Sequence, residues 1–255
     1  RAKQKIRLAR IPYEVPSLEV MGERLAAVRA VIYLIFNEGY AASAGQSLIR
    51  NDLCAEAIRL GRVLCELLPN EPENMGLLAL MLLQDSRRDA RVNDDGELVT
   101  LEEQDRSRWD ATEIAEGMRL VQAALSLRRV GNYQLQAAIA AVHAEAKHAD
   151  ETDWRQIVAL YGELLRITSS PVVALNHAAA VAMSEDLEQG LRLLEAAGAA
   201  GALQNYYLFH ASRADLLRRL NRLDEAVTAY TTALSLTTNV VEQNYIRRRL
   251  NELKQ

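Results

Sequence analysis

The sequence has little of what interrupts, cross-links or anchors a chain. Its 255 residues include only 12 glycines, 5 prolines and 2 cysteines, while 49% are hydrophobic and 25% are charged. That composition excludes disordered and collagen-like chains. The longest apolar run of note, residues 77–83, is far too short to cross a membrane. No secretory signal pattern is visible and the chain starts at Arg1, so we expect a cytoplasmic piece of a longer protein.

The two cysteines cannot form a disulfide with each other. Cys54 and Cys65 are eleven residues apart in what reads as one helix, which separates them by about 16 Å. We expect two buried thiols in a reducing cytoplasm.

Motifs of common catalytic and metal sites are also lacking. His143 and His148 are five residues apart, whereas a zinc-protease helix needs two histidines four apart. Glu145 and His148 have the spacing of carboxylate-bridged metal sites, but such sites need that motif twice. No glycine-rich phosphate loop, nucleophile elbow or metal-binding cysteine cluster is present. We therefore expect no enzymatic activity, no metal and no cofactor.

Charge is concentrated at one end of the chain. The net charge of −4 gives no overall attraction to nucleic acid. Residues 1–13 nevertheless carry five cations and no acid, and Pro12 and Pro16 follow. Because proline ends helices and stiffens the residues before it, we predict a domain boundary there. Residues 1–16 would be the end of a helix and a linker, and residues 17–255 a helical domain.

From Leu18 onward, apolar residues recur at helical spacing almost without interruption. Leu25, Val28, Ile32 and Ile35 form one stripe, and a second runs from Leu53 to Leu67. Short loops between the segments indicate antiparallel neighbours. Further helices are predicted at 73–90, 111–129, 133–148, 152–167, 172–184, 187–197, 204–220, 223–236 and 240–253.

One polar segment interrupts this pattern. Residues 91–101 contain the turn sequence Asp94-Asp95-Gly96 followed by β-favouring residues, which predicts a short hairpin or ordered loop that continues irregularly to Asp110. Such an insertion is either a functional element or a solvated loop. The charged residues around it predict either an internal network that clamps the insertion or a patch for a ligand or partner; they are Asp85, Arg87, Arg88, Asp89, Arg91, Asp105, Arg106, Arg108 and Asp110, with Trp109 among them.

The C-terminal half contains a degenerate repeat. In residues 207–239, small residues alternate with large ones at positions similar to those of tetratricopeptide helix pairs: Ala214, Leu217, Ala226, Tyr230 and Ala233. A second unit starts near Pro171, with Ala178, Gly190 and Leu194 in equivalent places. A helix pair of this kind buries its apolar face only by stacking on neighbours. We therefore predict an all-α, tetratricopeptide-like array of antiparallel helices with one short hairpin or loop insertion near residues 91–109.

Several stretches carry a family resemblance. Asn37-Glu38-Gly39-Tyr40 and residues 104–110, together with residues 76–83, 135–143 and 170–176, resemble the tetratricopeptide-like extension of one group of extracytoplasmic-function sigma factors. In that group the extension follows the two sigma regions. Residues 1–7 look like the tail of the promoter-reading helix of the second sigma region, so Arg1, Lys3, Lys5 and Arg7 would be a remnant of a DNA contact. This chain departs from the family pattern at His177 and at Gly131-Asn132.

The resemblance implies a regulatory extension that controls promoter-directed transcription by the sigma regions. Its implied partners are its own sigma regions 2 and 4 or core RNA polymerase, with promoter DNA reached only through those regions. Two alternatives stay open: a scaffold whose concave face binds a partner's peptide, and a small-molecule sensor. The candidate interaction residues are Asn37, Glu38, Gly39, Tyr40, Asp85, Arg87, Arg88, Arg91, Asp105, Arg106, Trp109, Asp110 and Asn176.

Overall fold

The computed structural model describes residues 18–45, 48–184 and 186–253. These parts of the chain form an all-α array, as predicted. Its eleven α-helices are α1 (Leu18–Tyr40), α2 (Asn51–Leu67), α3 (Pro72–Asp85), α4 (Ala111–Ser126), α5 (Asn132–Glu145), α6 (Trp154–Ile167), α7 (Pro171–Met183), α8 (Leu187–Ala199), α9 (Tyr207–Arg219), α10 (Leu223–Leu236) and α11 (Val240–Glu252). Short 3₁₀ turns lie at Arg88–Ala90, Arg106–Arg108 and Ala149–Glu151.

Helix starts follow from capping residues in the sequence. The Asp110 carboxylate accepts from the Thr112 and Glu113 amides, at 2.8 and 3.0 Å. Such a cap satisfies amides that the first turn of a helix leaves unpaired. Pro72 and Pro171 open α3 and α7, at a position where the missing proline amide costs nothing.

Helix α3 is the buried centre of the N-terminal half. Residues 77–83 are all buried, and the helix packs against α1, α2, α4 and α5. A helix that is apolar all round is stable only when neighbours surround it. The run that was too short for a membrane is therefore the core of this half.

The C-terminal half packs as helix pairs, α7 on α8 and α9 on α10. Each of the five repeat positions predicted in the last pair is buried: Ala214, Leu217, Ala226, Tyr230 and Ala233. In the preceding pair, a Cβ atom added to Gly190 would lie 2.4 Å from Cβ of Ala182. The small residue therefore lets α7 and α8 cross closely, as the repeat pattern predicts.

Several helix ends differ from the predicted positions. Helix α3 ends at Asp85 instead of residue 90, because the chain tightens into a 3₁₀ turn after Ser86, whose hydroxyl donates to the Leu83 carbonyl at 2.9 Å. Helix α4 ends at Ser126, and Arg128 takes a φ of 53° that no continuing helix allows. Residues 1–16, with the predicted boundary and the cations Arg1, Lys3, Lys5 and Arg7, lie outside the described residues.

The two ends of the described array touch each other. The Asn239 side-chain amide donates to the Ala42 carbonyl at 3.1 Å, and the Val240 amide donates to the Gly45 carbonyl at 3.2 Å. The loop after α1 thereby meets the start of α11. None of the described helices combines the length and apolar composition needed to cross a membrane.

Candidate functional site

The polar segment between α3 and α4 is an ordered hairpin-like insertion. Val92 and Leu98 form a single antiparallel bridge, and the Asn93 amide donates to the Glu97 carbonyl at 3.0 Å. Gly96 turns the chain with a φ of +77°, which glycine adopts without strain. The segment therefore fits the prediction of a short hairpin or ordered loop.

Three ion pairs connect the insertion to the last helices of the array. Arg219 on α9 pairs with Glu102 at 2.7 Å, and Arg248 and Arg249 on α11 pair with Glu97 and Glu103, at 2.8 and 2.9 Å. Each pair is partly exposed and so contributes at most about 1 kcal/mol. Together they hold the insertion against α9 and α11, and it is therefore not a free solvated loop.

The insertion also packs against Tyr40 at the end of α1. Arg91 is 8% exposed, and its guanidinium carbon lies 3.5 Å from the centre of the Tyr40 ring. Arg91 also donates to the Tyr40 carbonyl. Arg87 donates to the Tyr40 hydroxyl at 2.7 Å and approaches the Trp109 ring to 5.8 Å. Burial lowers the pKa of Arg91, but arginine stays charged in proteins, so this is a buried cation held by a ring and a carbonyl.

Arg106 fastens the insertion to the end of α5. It donates to the carbonyls of His143 and Ala146, at 2.7 and 2.8 Å, and to the Thr152 hydroxyl at 2.9 Å. The carbonyls at a helix C-terminus lack partners within the helix and favour a cation. The Arg106 guanidinium also lies 5.0 Å from the Trp109 ring.

Arg88 forms a separate ionic cluster with three carboxylates. It pairs with Asp85, with Glu113 at 2.9 Å and with Asp110 at 3.6 Å. Burial raises the pKa of Asp85 and of Glu113 even though Arg88 opposes the change. The described charges around the insertion are thus largely used inside the chain, which favours the internal network over a partner patch.

The remaining candidate residues are spread between surface and core. Asn37 and Asp105 are exposed, and the Asp105 carboxylate accepts from the Ser107 amide at 2.9 Å. Glu38 accepts from the Ser43 amide at 3.3 Å. Gly39 is packed so closely that an added Cβ atom would lie 2.7 Å from the Cys54 nitrogen.

The two cysteines are free, and Cys54 is buried while Cys65 is partly buried. Burial raises the pKa of Cys54 to about 12 and that of Cys65 to about 11. Both thiols therefore stay protonated at neutral pH and are poor nucleophiles.

A cavity of about 250 Å³ lies beneath the insertion. Its walls come from α1, α3, α5, α6 and α7 and from Leu101 of the insertion itself. The polar lining residues are Tyr33, Gln84, Arg87, Gln136, His143, Tyr161 and Asn176. Sequence reasoning singled out Arg87 and Asn176 and missed the others. Their signal was weak: polar residues such as Gln136 and His143, seven positions apart on one face of a helix that is otherwise mostly apolar.

Among the described residues that line the cavity, Arg87 is the only charged one. Burial, with the nearby cations Arg87 and Arg106, lowers the pKa of His143 to about 3. Burial raises the pKa of Tyr33 and of Tyr161 to about 12. The imidazole and both phenols are therefore neutral at pH 7.

Two nitrogen atoms of the lining residues have no hydrogen-bond partner among the described residues. Nε of Arg87 and Nδ1 of His143 are buried, and no described residue bonds to either atom. Such unpaired buried groups are uncommon because each carries a desolvation cost. The cavity is therefore positive, with neutral donors and acceptors around one guanidinium.

At two places the sequence departs from the sigma-factor pattern that it resembles, and the structure offers a local explanation for each. Asn132 is the first residue of α5, where proline is also well tolerated, and its side chain accepts from Gln136 at 2.9 Å. His177 lies on α7 beside Asn176, and burial lowers its pKa. The helical framework accommodates both residues.

The two matches to known sequences cover different shares of this chain. Residues 24–125 match the model of a family of unknown function (DUF6596). An uncharacterized protein of Rhizobium meliloti (strain 1021) is 47% identical over 253 residues, which is 99% of this chain and 59% of that relative. The chain thus spans about three fifths of the relative's length. The family match includes the insertion and Tyr40, while the cavity-lining residues His143, Tyr161 and Asn176 lie beyond it.

Proposed function

We propose that this helical domain regulates promoter-directed transcription initiation as part of an extracytoplasmic-function sigma factor, without catalysis of its own. The supporting observation is the meeting of the two stretches on which the resemblance rests most. Tyr40 of the first stretch and Trp109 of the second both contact Arg87. The two stretches that carry the resemblance therefore pack together in one structural unit, although they lie far apart in the sequence.

The domain would act by docking on the sigma regions that precede it in such a protein, or on core polymerase. Its outer surface offers an apolar stripe on α1, where Val28, Val31 and Leu34 are 44%, 56% and 66% exposed. These three residues recur every three positions and lie along one side of the helix, and exposed Asn37 follows one turn after Leu34. Contiguous exposed apolar side chains of this kind mark interaction surfaces.

The scaffold alternative has less support from the geometry. A peptide on the inner face of the array would compete with the chain's own insertion, which contacts α1, α5, α9 and α11. Such a partner would first have to break the contacts of Arg91 and Arg106. The outer face of α1 needs no such displacement.

The test is in vitro transcription by the full-length sigma factor that carries this domain, with and without residues 18–255. A change in promoter output while the sigma regions stay folded supports regulation: lost output identifies an activator or polymerase clamp, and increased output an inhibitor. Unchanged output contradicts the proposal.

A point variant locates the docking surface. Leu34→Glu places a charge on the α1 stripe and is expected to change the output in the same direction as the deletion. Leu67→Glu is the matched control, because Leu67 is 72% exposed at the end of α2 and outside the stripe. Equal outputs from the two variants would remove α1 as the contact.

A further inference from the structure

We propose that the cavity beneath the insertion binds a small organic carboxylate, held by Arg87. This inference concerns the isolated domain and is independent of any role in transcription. It rests on Arg87, which has no ion pair among the described residues and lies at the wall of a cavity whose described lining includes no acid.

Arg87 supplies the positive charge of the proposed site. It makes one side-chain hydrogen bond, to the Tyr40 hydroxyl, and it has no ion pair among the described residues. Neighbouring Arg88, one position along, pairs with Asp85 and Glu113 instead. The part of the chain that the structure describes contributes no aspartate or glutamate to the cavity lining. A guanidinium fork in this position matches the geometry of a carboxylate, which accepts two parallel hydrogen bonds.

Neutral polar side chains also line the cavity. Tyr161 of α6 and Asn176 of α7 line the cavity, and Nδ1 of His143, a residue whose pKa the nearby Arg87 helps to lower, has no hydrogen-bond partner among the described residues. These groups can both donate and accept, so they can orient a ligand without adding charge. Apolar walls from Leu80, Ile139 and Val173 complete the lining.

The apolar side chains of the lining favour an organic acid over an inorganic anion. A phosphate ion is polar on every side, and any of its oxygens that met Leu80, Ile139 or Val173 would stay unpaired at a cost in free energy. A carboxylate with a short apolar body would satisfy Arg87 at one end and the aliphatic walls at the other. A volume of about 250 Å³ lies below that of most drug-sized pockets, so the ligand is small.

The chain carries its own reporters for this site. Its two tryptophans are Trp109, whose ring lies 5.8 Å from the Arg87 guanidinium, and Trp154, whose ring packs edge-on at 5.2 Å against His143. Both flank the cavity. A ligand that contacts Arg87 or His143 is therefore expected to change the intrinsic tryptophan fluorescence.

The experiment is a titration of the purified domain with benzoate and butyrate, each compared with its neutral amide, benzamide or butyramide. Tryptophan fluorescence and the melting temperature are recorded, since a ligand of the native state raises the melting temperature. We expect at least one carboxylate to give saturable binding and its amide to bind at least about tenfold more weakly, as befits loss of a charge-assisted hydrogen bond. If neither carboxylate exceeds its amide, the proposal is overturned.

Variants tie the signal to the cavity. Arg87→Gln is expected to weaken binding about tenfold or more, whereas Arg166→Gln, on the exposed side of α6, should leave it unchanged. Arg87→Gln also removes a contact to Tyr40. Tyr161→Phe and Asn176→Leu therefore test other lining residues without changing that contact, and each should weaken binding. Binding unaffected by all three cavity variants contradicts the site.

Inorganic phosphate is the last ligand to be titrated. Phosphate that binds as tightly as the best carboxylate would assign the cavity to an inorganic anion and overturn the organic part of the proposal. Weak or absent phosphate binding, with carboxylate binding retained, is the expected result.

Discussion

The α9–α10 pair and the inserted segment are held in place by different forces. Between α9 and α10, alanines such as Ala214 and Ala226 bring the helices close, and Leu217 and Tyr230 fill the space between them. The insertion instead relies on guanidinium groups. Arg91 stacks on Tyr40, and Arg106 donates to the carbonyls at the end of α5.

The difference matters because dry packing and polar packing have different costs. The α9–α10 interface is filled mainly by apolar side chains, and the Tyr230 hydroxyl within it is buried without a hydrogen-bond partner among the described residues. Guanidinium groups on an inner face each need acceptors, and around the cavity some nitrogens have none. Unpaired polar atoms are more numerous around the insertion and the cavity, and a fold is expected to tolerate such a cost at functional sites. The comparison therefore separates a mainly dry interface from a polar candidate binding region.

The largest effect is expected in the dry interface. Leu217→Ala removes a fully buried side chain and should lower the free energy of unfolding by about 2–5 kcal/mol, because it loses transfer energy and leaves a cavity. Urea denaturation followed by far-UV circular dichroism measures the loss.

The same helix supplies the control for that variant. Leu208→Ala also shortens a leucine on α9, but Leu208 is 39% exposed. We expect it to cost less than about 1 kcal/mol. Similar losses at positions 208 and 217 would mean that the α9–α10 interface is not the dry core described above.

A smaller but more localised effect is expected at the buried cation. Arg91→Ala removes the stacking on Tyr40 and leaves the Tyr40 carbonyl without its donor, a loss of about 3 kcal/mol. Arg91→Lys should not restore stability, because an ammonium cannot stack on the ring and reach the carbonyl as a planar guanidinium does.

Hydrogen exchange distinguishes this loss from that at Leu217. With Arg91→Ala, amide protection should fall first in the insertion, at bonds such as Val99 to Arg91 and Asn93 to Glu97. With Leu217→Ala, it should fall in α9 and α10. Uniform loss of protection in both variants would show that the two regions unfold as one unit.

Sequence patterns predict the first region better than the second, for a physical reason. The repeat positions of α9–α10 follow from the 3.6-residue period, since both helices belong to one local unit. The hairpin follows from the Asp95-Gly96 turn for the same reason. The cavity unites Tyr33 with Asn176, far apart in the chain, and periodicity shows which residues face inward but not which of them meet. The internal use of Arg88 and Arg106 was one of two open interpretations, and only the tertiary contacts favour it.

The smallest expected effect tests how dry the cavity wall is. In the folded chain the pKa of His143 lies at about 3, against about 6.5 in an unfolded chain. Between these values the unfolded chain binds a proton that the folded chain does not, so stability falls as the pH is lowered. From pH 7.5 to 5.0 this one group should cost about 2 kcal/mol of the free energy of unfolding.

His143→Gln should remove that part of the pH dependence while keeping a polar side chain, and the Arg106 contact survives because it uses the backbone carbonyl of residue 143. Urea midpoints of both proteins at pH 7.5 and 5.0 give the difference directly, because carboxylates that titrate in this range are common to both. Equal losses would mean that the imidazole is well solvated and protonates freely. The space beside Arg87 would then be an open cleft, in which one guanidinium competes with water for any anion and holds it far less tightly than in a desolvated site.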